Sequence, residues 1–130
     1  MSQYVLGKTV AMNFETAVKR ITEELGKVGF GILTEIDVQK TLRAKLGQEM
    51  PPYLILGACN PQLASQAIAA DPKVGALLPC NVIVREDKDG MVYVEAMDPS
   101  AVLTLVDHPA VPQLASEVRQ KLEQALAALE

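Results

Sequence analysis

Seven consecutive residues, Tyr53 to Cys59, form an unbroken apolar run in the middle of the chain. A short run without polar alternation is typical of a strand that is buried on both faces. Pro51 and Pro52 precede the run, and proline cannot extend a helix into it. Asn60 and Pro61 follow it and match the cap and first position of a helix. The sequence therefore predicts an interior strand, covered on both faces or nearly so, that leads directly into a helix.

Alternating and helical patterns on either side of this run predict the rest of the fold. The other strands are predicted at Gln3–Met12, Phe30–Val38, Cys80–Glu86 and Met91–Met97, the last two joined by a hairpin at Asp87–Gly90. Asn13, Asp37 and Asp98 are predicted to cap helices, and a further amphipathic helix is predicted from Val111 to Leu129. The predicted fold class is α/β (α+β), a single domain over residues 1–130. It has two layers, with a mainly antiparallel five-stranded sheet and helices packed on one face.

The strand predicted at Phe30–Val38 has the clearest two-residue period in the chain. It predicts that Phe30, Ile32, Thr34, Ile36 and Val38 share the buried face of the sheet.

Composition excludes several functional classes. The chain is 49% hydrophobic and carries a net charge of -4 with no basic cluster, so nucleic acid is not an expected partner. No apolar stretch reaches the length of a membrane span. The N-terminus lacks the pattern of a signal peptide, and the two cysteines are expected to be free thiols in the cytoplasm.

Two Cys-Asn pairs, Cys59-Asn60 and Cys80-Asn81, are the candidate ligand-binding site. Cys59 lies where a strand meets a helix N-terminus, a position that favours a reactive thiolate. The alternative is that both cysteines are simply packed in the core, where free cysteine is common. If the strands that carry them run antiparallel, both thiols lie at one end of the sheet. If the strands run parallel, the thiols lie at opposite ends and form no joint site.

Cys59 and Cys80 are also the candidate ligands for a soft metal such as copper(I) or zinc. His108, the single histidine, is the candidate third ligand. Two cysteines alone do not complete a zinc site, and a histidine between an aspartate and a proline is more typical of a surface loop. The sequence identifies no cofactor.

The segments that carry the two cysteines, Pro52–Pro61 and Leu77–Val82, resemble the domain-of-unknown-function 302 family. Phe30–Val38, Lys45–Gly47, Asp71-Pro72 and Gly75 fit the same family pattern. The resemblance covers about Tyr4 to Leu129. It implies a two-layer domain of the TATA-binding-protein-like kind and a tendency to homodimerise, and it does not imply DNA binding. It implies no activity, and His108 is not part of the pattern.

Three hypotheses follow for the function. The first is a thiol-based binding module that holds a soft metal, a sulfur species or a small ligand at Cys59, Asn60, Cys80 and Asn81. The second is a non-catalytic homodimeric interaction protein whose cysteines are structural. The third is a thiol-dependent enzyme or sulfur carrier, with Cys59 as the nucleophile and Cys80 as its resolving partner.

Overall fold

The structure, a computed structural model, describes residues 4–129. Its strands are β1 (Val5–Val10), β2 (Gly31–Asp37), β3 (Tyr53–Cys59), β4 (Cys80–Glu86) and β5 (Val92–Met97). Its helices are α1 (Phe14–Lys27), α2 (Val38–Leu46), α3 (Pro61–Ala70), α4 (Pro99–Val102) and α5 (Val111–Ala127), with 3₁₀ turns at Pro72–Leu77 and Leu103–Leu105. The predicted start of the first strand at Gln3 lies outside the described residues.

The five strands form one open sheet in the order β1-β5-β4-β3-β2, and every neighbouring pair is antiparallel. This arrangement confirms the predicted two-layer fold class with a five-stranded antiparallel sheet. None of the helices within residues 4–129 combines the length and the apolar character needed to cross a bilayer.

The helices begin where side chains satisfy their first backbone N–H groups. Three such bonds run to Asn13 from Thr16 at 2.8 Å, to Asp37 from Lys40 at 2.9 Å and to Asn60 from Leu63 at 3.2 Å. Each carbonyl or carboxylate oxygen accepts a donor that the helix itself leaves unpaired. These local bonds place the starts of α1, α2 and α3 where the sequence predicts them.

One face of the sheet carries the core and the helix layer. Val82, Val84 and Leu56 on this face are fully buried, together with Ile21 of α1 and Leu122 of α5. Lys8 of β1 anchors the end of α5 to the same face, because its Nζ donates to the carbonyls of Leu126 and Leu129 at 3.2 and 3.0 Å. The carbonyl of Leu126 belongs to the last turn, where a helix has no partner for it, and that of Leu129 lies just beyond the end of α5.

The prediction for the faces of β2 is wrong, because the strand contains a bulge. The register with β3 shifts between Ile32 and Thr34, so that Leu33 has no partner. An extra residue exchanges the two faces of the strand beyond it. Ile32 therefore pairs with buried Ala58 on the core face, whereas Thr34 and Ile36 lie on the opposite face. β2 is also an edge strand, and Leu33 is 66% exposed.

The expectation that β3 is covered on both faces is also wrong. Leu56 and Ala58 point into the core, but Tyr53 and Ile55, which alternate with them, are only half-buried. Ile83 of β4 and Met97 of β5 share this second face and are half-buried too. We call this second face, defined by Tyr53, Ile55, Ile83 and Met97, the open face, because α1, α3 and α5 do not pack on it.

Candidate functional site

Both cysteines lie at the same end of the sheet. Cys59 is the last residue of β3 and Cys80 is the first residue of β4, and Ala58 pairs directly with Cys80 across the antiparallel ladder. The chain reverses between them through α3 and the turn at Pro72–Leu77. This is the antiparallel one of the two arrangements that the sequence left open.

Cys59 and Cys80 line one cavity of about 310 Å³ at this end of the sheet. α3 and α5 form its walls, and the loop before β4 closes it with Leu78 and Pro79. Its other lining residues include Phe30 and Leu33, Ala64, Ala67 and Ile68 of α3, and Leu114 and Val118 of α5. No residue that lines the cavity is charged. We call it the thiol cavity.

The two asparagines of the Cys-Asn pairs have different positions. Asn60 lines the thiol cavity, and its Oδ1 accepts the N–H of Leu63 as the cap of α3. Asn81 pairs with Gly57 and is exposed on the open face, where it lines a separate cavity of about 420 Å³. Three of the four predicted ligand-binding residues, Cys59, Asn60 and Cys80, therefore lie together.

His108 is not among the residues that line the thiol cavity. Its Nδ1 accepts the backbone N–H of Ala110 at 3.0 Å, so the ring helps to order the turn before α5. Within residues 4–129, no three or more side chains of histidine, cysteine, aspartate or glutamate cluster closely enough to hold a metal ion. The three-ligand site predicted from Cys59, Cys80 and His108 is therefore not assembled in this part of the chain.

Cys80 is held as a neutral thiol by its surroundings. It is 7% exposed, and both cysteines are free. Burial and, as a smaller cause, the nearby Cys59 together raise the pKa of its thiol from 9.0 to about 11. An apolar environment stabilises the uncharged form because the thiolate loses its hydration. The neutral form is a weak nucleophile and a weak metal ligand.

The helical walls of the cavity were missed by the sequence analysis. Ala64 and Ala67 are small residues three positions apart on α3, and Ile68 beside them is 46% exposed. Small side chains on one side of a helix leave space between that helix and its neighbour. The alanines are the signal in the sequence, but they indicate a cavity only once α5 is known to lie opposite.

The chain is similar to known proteins of one kind. The model of the family described as Domain of unknown function DUF302 matches residues 6–129. A solved structure, the uncharacterized conserved protein DUF302 from Bacillus stearothermophilus, superposes with a TM-score of 0.91 at 25% identity, covering 99% of this chain and 100% of that one. No protein with a curated description matches. The family model spans nearly the whole chain, and we conclude that the chain belongs to the DUF302 family.

Proposed function

We propose that the chain is a small-molecule binding module and that the thiol cavity receives the apolar part of its ligand. The observation that supports this proposal is the lining of the cavity, which brings Cys59 and Cys80 together without any charged residue. Ligand pockets are concave, mostly apolar and contain a few polar groups, and about 300 Å³ is within their size range. Asn60 and the two thiols supply those polar groups.

The apolar surroundings of Cys80 favour an organic ligand over a soft metal ion or a sulfur species. A soft metal ion binds thiolates. The pKa of Cys80 is raised to about 11, mainly by burial, so its thiol stays protonated at neutral pH. A sulfur carrier also needs a thiolate as its nucleophile. A neutral thiol instead behaves as a small apolar group with a weak donor, which suits contact with a hydrocarbon chain. We place the module in the cytoplasm, where free thiols stay reduced.

The proposal is tested by titrating the protein with 1-octanol and measuring the heat of binding. We expect one saturable site with a Kd of about 0.1 to 1 mM, because a ligand of nine heavy atoms gains about 0.5 kcal/mol per atom. Triethylene glycol is the control ligand, since it has a similar length but a polar chain, and it is expected not to bind. Absence of saturable octanol binding, or equal binding of both compounds, would contradict the proposed function.

A second role is supported by the open face, and we propose that two copies of the chain pair through it. Within the described strands, Arg85 and Glu95 are the only charged residues that alternate onto this face. They bind each other through two bonds of 2.7 and 3.2 Å, and the guanidinium lies 4.2 Å from the ring centre of Tyr93. The strand residues of this face therefore carry no net charge. Asp87, whose carboxylate accepts the Tyr93 hydroxyl at 3.0 Å, lies beyond the end of β4, so the strand residues of two copies can meet across a two-fold axis without repulsion.

We expect the protein to have twice the mass of one chain in light scattering at about 100 µM, well above the dissociation constant of a standard interface. Ile83→Lys places a charge at the centre of the open face, and we expect this variant to be monomeric. The matched control is Leu105→Lys, at a residue that is 76% exposed in a 3₁₀ turn, and it is expected to remain dimeric. A monomeric wild type, or an Ile83→Lys variant that stays dimeric, would contradict this role.

A further inference from the structure

A second, polar cavity of about 590 Å³ adjoins the thiol cavity. Asn60 lines both of them. Along α5, Val118 lines the first cavity and Lys121, one turn further, lines the second. Along α3, the first turn contributes Gln62 to the polar cavity, and the residues that follow it line the thiol cavity. The two cavities are therefore consecutive parts of one groove between α3 and α5.

The charges in this groove are confined to one end. Lys27 and Lys121 line the polar cavity, no acidic residue does, and the thiol cavity has no charged residue. Lys27 is 3.0 Å from the carboxylate of Glu24, which also binds Arg20 at 2.9 Å. Arg20 in turn binds Glu23 at 3.1 Å, so these four groups carry no net charge, and Lys121 adds one positive charge to the lining. The polar end of the groove is therefore cationic.

We propose that the ligand of the groove is an anionic amphiphile. This inference rests on the proposed function, because the hydrocarbon chain of the amphiphile occupies the thiol cavity. Its anionic headgroup lies in the polar cavity beside Lys27 and Lys121, where it remains hydrated. The arrangement matches the charge of the headgroup to the lysines and leaves no charge in the apolar part, where burial would be costly.

The test compares three ligands that share an eight-carbon chain: octanoate, 1-octanol and octylammonium. At low salt and neutral pH we expect octanoate to bind about fivefold more tightly than octanol, the gain expected from a solvent-screened ion pair. Octylammonium is expected to bind more weakly than octanol. The advantage of octanoate should largely disappear in about 0.5 M NaCl, since salt screens exposed charges.

Lys121→Gln and Lys27→Gln are each expected to reduce the advantage of octanoate and to leave octanol binding unchanged. Lys45→Gln is the matched control, because this exposed lysine of α2 lines neither cavity, and its variant is expected to behave as wild type. Equal binding of octanoate and octanol, or an advantage that survives in Lys121→Gln, would overturn the headgroup assignment while the proposed function stands. Failure of both octanoate and octanol to bind would instead overturn the proposed function.

Discussion

Saturable binding of 1-octanol is expected to disappear in the Ala64→Trp variant, with a Kd at least about tenfold above that of wild type. Ala64 is half-buried on α3 and lines the thiol cavity, so that an indole ring attached there fills the space that the ligand needs. The cost to the helix is small, because tryptophan lowers intrinsic helix stability by about 0.5 kcal/mol relative to alanine. Calorimetric titration measures the loss.

The matched control is Ala69→Trp, which carries the same helix penalty at an exposed position of α3 that does not line the cavity. We expect it to bind octanol as wild type does. The chain contains no tryptophan, so each variant also reports on the surroundings of its own ring. Emission from Ala64→Trp should be shifted to shorter wavelength than emission from Ala69→Trp. A variant with this shifted emission that still binds octanol normally would contradict the assignment of the cavity as the binding site.

The stability of the protein is expected to fall by up to about 3 kcal/mol between pH 9 and pH 11 because of Cys80 alone. Its pKa is raised from 9.0 to about 11 in the folded protein. The native state therefore holds this proton more tightly than the unfolded chain does. The stabilisation is fully present below the pKa of the unfolded thiol and is lost as the pH rises to the pKa of the folded one.

The test is urea unfolding of wild type and Cys80→Ala across this pH range, in the presence of a reducing agent. The difference between the two proteins separates the contribution of Cys80 to the free energy of unfolding from those of lysine and tyrosine residues. The variant is expected to be less stable at neutral pH, because it leaves a small cavity, but to lose less stability above pH 9. Cys59→Ala is the control and is expected to keep most of the pH dependence, because burial is the larger cause of the shift. Parallel curves for wild type and Cys80→Ala would show that Cys80 is not held as a neutral thiol.

Local chemistry explains which parts of the fold could be predicted from the sequence. Asn13, Asp37 and Asn60 cap helices by bonds to residues three positions away, so the sequence alone determines where those helices begin. The bounds of β3 and β4 also follow from local patterns: an apolar run before a cap, and a strand before the turn at Asp87–Gly90. The hairpin settles the direction of β5 relative to β4 for the same reason.

Features that depend on distant parts of the chain could not be predicted. The bulge at Leu33 exists only because β2 must pair with β3, and it moves Thr34 and Ile36 to the open face. The thiol cavity lies between α3 and α5, and nothing near Ala64 in the sequence indicates that Val118 lies opposite. The position of Asn81 on the other face follows from simple strand alternation after Cys80, which the shared Cys-Asn pattern obscured.

The proposed function requires an apolar ligand to lie against both cysteines, and a nuclear Overhauser measurement on the octanol complex detects that contact. With labelled protein and unlabelled octanol, we expect contacts from the alkyl chain to the β-protons of Cys59 and Cys80 and to the methyl groups of Ala64 and Val118. Contacts confined to Tyr53, Ile83 and Met97 would place the ligand on the open face and contradict the proposed function of the thiol cavity.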